Sequence, residues 1–196
     1  MQTELENPAE ATRIQRLKAM TEATHDRLDK RIMAAEPFAT KERYARFLSV
    51  QHGFHADVAP LYAAPELNQL LPGLADRCRF EAIRQDIRDV TGNEPSDTAG
   101  RNGALDLPTA LGWVYVAEGS NLGAAFLLKE AIKLGLSEED GARHLAGHPS
   151  GRGLHWRNFV SAYNTLPLSE EDEIRVAEGA KAAFNRVHAL VEESFA

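Results

Sequence analysis

The apolar positions of this 196-residue chain recur every three to four residues, the period of helices that turn one face to a core. Residues 8 to 35 read as one amphipathic helix whose stripe of Ile14, Leu17 or Lys18, Thr21, His25, Leu28 and Ile32 turns His25 inward. Thr40 is placed to cap a second helix with Tyr44, Phe47, Leu48, Gln51, Phe54 or His55, Val58 and Tyr62 inside, and Pro60 near its end. A short helical turn over 65 to 71 and a helix from 74 to 90 follow, then the loop-like stretch 91 to 106. Beyond a glycine and proline loop at 146 to 153, a helix runs over 154 to 166 and stops at Pro167. Ser169, followed by Glu170, Glu171 and Asp172, starts a last helix that buries Ile174, Ala177, Phe184, Val187, Val191 and Phe195. No strand-like alternation lasts more than a few residues, so the pattern predicts an all-α fold in one domain over residues 1 to 196.

One run departs from this regularity. Residues 111 to 128, LGWVYVAEGSNLGAAFLL, form an apolar helix interrupted by Gly119 and Gly123, with Ser120 and Asn121 between them. Each interior glycine costs about 1 kcal/mol relative to alanine, and Ser and Asn favour local bonds to the backbone over helix. Four poor helix formers within the five residues 119 to 123 predict a bend. Tyr115, Gly119, Leu122, Gly123 and Phe126 share one face, a bare patch between two aromatics. Such a patch suits either a close helix crossing or a flat ligand laid against backbone. A membrane span does not fit, because Asp106 and Pro108 at one end and Lys129, Glu130 and Lys133 at the other are the flanks of an ordinary core helix.

Composition narrows the function. A net charge of −7 without any aromatic-interleaved basic stretch speaks against nucleic acid. Cys78 is the only cysteine, which excludes an internal disulfide, a cysteine-held iron–sulfur cluster and covalent C-x-x-C-H haem attachment, and fits a reducing cytoplasm. The first residues, MQTELENPAEA, contain no basic segment followed by an apolar one, so no secretory signal is visible.

Histidines carry the remaining chemistry. His25 reads either as a hydrogen-bonded core residue or as a metal ligand. Asp29 at i+4 is placed to take its Nδ1 proton and leave Nε2 free, and Lys18 lies two turns back, about 10.5 Å along the axis. Gln51 and His55 form an i,i+4 pair. His144, His148 and His155 surround a loop in which zinc is conceivable, although loop histidines are more often solvated or capping, and Arg143, Arg152 and Arg157 raise the cost of a cation there. The Glu-x-x-His of di-iron bundles occurs once, at Glu22 to His25, where such sites need it twice. A nucleophile elbow, a Walker loop and a dinucleotide fingerprint are missing, so hydrolase and nucleotide readings drop out.

Several stretches together resemble the bacterial haem oxygenases: THDRLD from Thr24, Gly112-Trp113 with Tyr115, AEGSNLGAAF from Ala117, GARHLA from Gly141, HPSGRG from His148 and HWR from His155. The resemblance covers nearly the whole chain. It implies a single-domain helical bundle that clamps haem b between the first helix and the glycine-kinked one, with haem as both substrate and cofactor. His25 would be the axial ligand, supported by Asp29. Gly119, Ser120, Asn121 and Gly123 would lie against the opposite haem face beside Phe126. Gln51 and His55 match positions that hold water there, with Trp156 near that network. Lys18 and Tyr115 match contacts to the propionates, with Lys129 a further candidate. The implied reaction consumes O2 and electrons from an external donor, a ferredoxin or flavoprotein reductase, and yields biliverdin, of the α isomer where both anchors are present, with carbon monoxide and ferrous iron. The expected protein is a cytoplasmic monomer, serving iron acquisition or bilin supply. A haem carrier or sensor, and a helical di-iron or vitamin-related enzyme, are the other classes the residues leave open.

Overall fold

A computed structural model of the chain describes residues 11–96, 100 and 104–196, and all the regular structure among them is helical. Seven α-helices follow one another: α1 (Arg13–Ala34), α2 (Lys41–Ala63), α3 (Pro65–Leu70), α4 (Phe80–Thr91), α5 (Leu107–Lys133), α6 (Arg152–Asn164) and α7 (Glu170–Ser194). Single 3-10 turns occupy Ala75–Arg77 and Arg143–Leu145. Most starts are set by side-chain caps. Thr12 and Gln15 form a capping box on α1, Ser169 and Asp172 one on α7, and Thr40 and Asp106 cap α2 and α5. The expected start of the first helix at Pro8 lies outside the described residues.

Two expectations need correction. The helix predicted from Leu74 begins only at Phe80, because Cys78 is extended and Arg77 is drawn across the fold to Glu118 and the His155 carbonyl. Ile174 is exposed rather than buried. The face of α7 that packs is Val176, Ala177, Ala180, Ala183, Phe184, Val187, Leu190 and Val191, and Ile174 stands on its flank.

Helix α7 is the spine. Helix α1 runs alongside it in the same direction, tied by Arg13 to Glu173 at 2.7 Å, Arg27 to Asn185 at 2.5 Å and Arg31 to Glu192. Arg13 is itself buried and donates to the carbonyls of Tyr163 and Leu166, so it also fastens the end of α6. Helix α5 crosses α7 where Gly112 and Gly179 remove the side chains: a Cβ on Gly112 would stand 2.2 Å from the Val176 oxygen. Helix α2 meets α5 through the stacked rings of Phe54 and Trp113, 5.9 Å apart, and meets α7 through Arg186 and Asp57 at 2.7 Å. No helix among the described residues is long and apolar enough to cross a membrane.

Candidate functional site

Helices α1 and α5 both lean on α7 and come together at Thr21 and Tyr115. Burial raises the pKa of the Tyr115 hydroxyl, and its contact with Thr21 works against that shift. Lys18 lies one turn before Thr21, is exposed, and its carbonyl accepts from the Thr21 hydroxyl at 3.3 Å. Thr21 therefore links Tyr115 to the turn of α1 that carries Lys18.

One turn after Thr21 stands His25, which does not point into the core as its stripe predicts. Its side chain is 54% exposed, and its ring lies 5.2 Å from that of Phe184 on α7. Thr21 and Leu28, on the same stripe, are buried. Among the described residues Phe184 is the one ring neighbour of His25, so the stripe opens at the His25 turn and closes again at Leu28. Asp29 is adjacent as expected, but to the other nitrogen: Nε2, not Nδ1, lies 3.5 Å from its carboxylate. The i+4 carboxylate of an exposed pair reaches whichever nitrogen the imidazole rotation offers.

Helix α5 remains α-helical through Gly119 to Gly123, and the Ser120 hydroxyl donates to the Ala117 carbonyl at 2.7 Å, a back-bond of the kind that bends helices. The bare patch is not a helix crossing. A Cβ on Gly123 would meet nothing within 4 Å, and one on Gly119 only the edge of Trp156 at 3.9 Å. The crossing of α5 is made by Gly112 instead, two turns earlier. Beside the glycines Leu122 and Phe126 are half exposed, and Lys129 is exposed one turn on. Uncovered apolar side chains next to open backbone fit the face of a flat, largely apolar macrocycle.

The inner side of α5 carries two polar side chains, Glu118 and Asn121, among apolar ones. Glu118, 1% exposed, accepts from the Tyr62 hydroxyl at 2.7 Å and from Arg77 at 2.9 Å, and Arg77 also donates to the His155 carbonyl at 3.0 Å. Asn121 is buried with its side-chain oxygen unpartnered. Trp156 stacks on Phe159 at 5.5 Å, which fixes it beside Gly119. On α2 Gln51 is half-buried and His55 buried, and His55 Nδ1 has no protein partner. Burial, then the charges of Arg79, His144 and His52, push the His55 pKa down to about 3. It is therefore neutral at physiological pH, able to hold a water but not to carry a charge.

The loop histidines differ from their expected role. His144 is neither solvated nor a zinc ligand: its Nδ1 lies 2.7 Å from the fully buried Asp86, which also accepts from the backbone of Arg143 and His144 at 2.9 Å. His148 and His155 stack, their centroids 4.3 Å apart. No group of metal-binding side chains occurs among the described residues. Sequence reasoning passed over Arg77, Asp86 and Glu118. For Glu118 a signal existed, since a lone acid on the inner side of an apolar helix must be paired. For Asp86, whose partners lie 57 and 58 residues on, none did.

Comparison with known proteins gives a consistent picture. The family model described as "Heme oxygenase" matches residues 11–193. The chain is 44% identical over 192 residues to "Heme oxygenase PigA" of Pseudomonas aeruginosa, covering 97% of each sequence. Its fold matches the NO- and CO-bound haem oxygenase of Neisseria meningitidis with a TM-score of 0.89 at 45% identity, over 94% of this chain and 92% of that one. The haem oxygenase of Leptospira interrogans shares the fold at 16% identity, with a TM-score of 0.75 over 93% of this chain and all of that one.

Proposed function

The chain belongs to the haem oxygenase family, and from that premise we propose which of its residues carry the reaction. The protein is a haem oxygenase: with O2 and electrons from outside it opens haem to biliverdin, carbon monoxide and ferrous iron. When bound, haem supplies the iron and the ring that is cut, and the protein supplies binding, orientation and control of water.

His25 would hold the iron. Its imidazole stands at an open edge within reach of Asp29, and a histidine ligand lacks the strong electron push of a thiolate. Gly119 and Gly123 leave a stretch of α5 bare, so that backbone rather than side chain would lie against the ring. The single observation that carries this reading is the open space at Gly123, where a helix crossing would have put a neighbour. Ser120 is kept out of that space by its bond to Ala117. Asn121, Gln51 and His55 hold ordered water near the ring, and Trp156 closes the wall beside Gly119. Phe126 covers an apolar edge. Lys18 and Tyr115 receive the propionates, with Lys129 as a further contact, and this pair of anchors selects the α isomer.

The chain acts as one domain, a cytoplasmic monomer whose electrons come from a ferredoxin or flavoprotein reductase. Hemin added to the protein should give a histidine-ligated spectrum, and ascorbate with O2 should convert it to a single biliverdin on chromatography. Binding without ring opening would leave a haem carrier, and no spectral binding would overturn the reading.

A further inference from the structure

Between the 3-10 turn Ala75–Arg77, the loop before α6 and the inner side of α5 lies a cavity of about 170 Å3, and Asn121 is the one residue it shares with the haem site proposed above. Four guanidiniums and a single carboxylate, Asp76, line it. Two are neutralised: Arg77 by Glu118, and Arg143 by Asp86 and Asp89. The other two are not. Arg79 donates to the His144 carbonyl at 3.2 Å, and Arg152 to the carbonyls of Asn121 and Leu145 at 2.7 and 2.8 Å. Among the described residues neither forms an ion pair with a carboxylate, although Glu118 and Glu138 act on them at longer range. The two cations repel one another, and burial and this repulsion lower the pKa of Arg79 to about 10. A pair of Arg side chains held by carbonyls alone keeps donors free for an anion.

The same cavity presents acceptors. Asp86 fixes the proton of His144 on Nδ1, so Nε2 carries a lone pair, and this buried atom has no protein partner. The side-chain oxygen of Asn121, also buried, is likewise unpartnered. Water would satisfy these acceptors but not the two cations. A ligand that does both is negative and carries a hydroxyl. We propose that this cavity binds a small protonated oxyanion, of the phosphate or carbonate kind, its charge held by Arg79 and Arg152 and its O–H donated to His144 Nε2.

The test is equilibrium dialysis of the full chain against radiolabelled phosphate, with ionic strength held constant by chloride, a readout that needs no haem. The expected result is one saturable site per chain, competed by bicarbonate. Sulfate, which has no proton to donate at neutral pH, should bind about tenfold more weakly, the worth of one hydrogen bond. Arg79→Gln and Arg152→Gln should each weaken phosphate about tenfold or more, while Lys133→Gln on the far end of α5 should leave it unchanged. If Arg79→Gln does not fold, Arg152→Gln and the sulfate comparison decide the matter alone. Absence of saturable binding, equal affinity for sulfate and phosphate, or binding indifferent to Arg152→Gln would overturn the proposal.

Discussion

Gly112 and Gly179 bring α5 and α7 into backbone contact: a Cβ on Gly112 would stand 2.2 Å from the Val176 oxygen, and one on Gly179 would stand 2.5 Å from the Thr109 oxygen. Gly119 and Gly123, on the same helix as Gly112, have no such neighbour. Two kinds of glycine therefore occupy α5, and substitution separates them. Gly112→Ala must push the helices apart, at a cost of about 1–3 kcal/mol or more, and should lower the melting temperature. Gly123→Leu should leave melting nearly unchanged and abolish haem turnover. A Gly123→Leu protein that turns over haem at the native rate would show that the open face has no ligand.

His25→Ala tests the axial ligand. Turnover should nearly cease, and the spectrum of bound haem should lose its histidine signature. Imidazole added to the solution should restore both, because His25 lies at an open edge with its side chain half exposed and a small base can take its place. Full activity without imidazole would remove His25 from the site.

Glu118→Ala would leave Arg77 facing the core with only the His155 carbonyl. Stranding one partner of a buried pair costs about 3–5 kcal/mol, so thermal scans should show a fall in Tm on the order of 10 °C. Glu118→Gln, whose Oε1 can still accept from Arg77 while its amide NH2 donates to the Tyr62 oxygen, should recover part of that loss.

Acid should weaken the fold through His55. Its imidazole takes a proton near pH 6.5 when unfolded but only at about 3 when buried, so between those values the unfolded chain binds more protons. Stability therefore falls as pH drops from about 6.5 and is flat in this respect above it, with one such group contributing up to about 1.4 kcal/mol per pH unit. His144 and His155, whose pKa values are lowered chiefly by burial, add in the same direction. Urea midpoints at pH 7, 6 and 5 should show a shallower slope for His55→Asn than for the native chain.

Regiochemistry tests the propionate anchors. With Lys18 one turn from Thr21 and Tyr115 in contact with it, the native product should be α-biliverdin. Lys18→Asn together with Tyr115→Phe removes a charge-assisted bond worth roughly 1.5–3 kcal/mol, enough to have favoured one ring orientation by tenfold or more. The double variant should yield a mixture with β or δ isomers on chromatography. A single isomer would move the anchor to Lys129.

What the sequence made legible was local. Helix periods, the caps at Thr40 and Ser169 and the glycine run in α5 are written in neighbouring residues, and the structure has these caps and this run where they were expected. What it hid depends on partners distant along the chain. That Gly112 makes the crossing and Gly123 does not is decided by where α7 lies, and both glycines look alike in a helical pattern. The inward stripe of α1 places His25 beside Thr21 and Leu28, but whether anything covers a given turn belongs to the neighbouring helices. His144 looked like a loop residue because Asp86, which buries it, comes 58 residues earlier.

The ladder between α1 and α7 joins residues 160, 158 and 161 positions apart. Contacts of such span are made late, since nearly the whole chain must be ordered before they repay the cost of closing so long a loop. During synthesis α1 has no α7 to rest on until residues 170–194 have been made. The helix that carries His25 thus depends for its docking on a helix made some 160 residues later, and acquisition of haem becomes a report that the chain between them has folded.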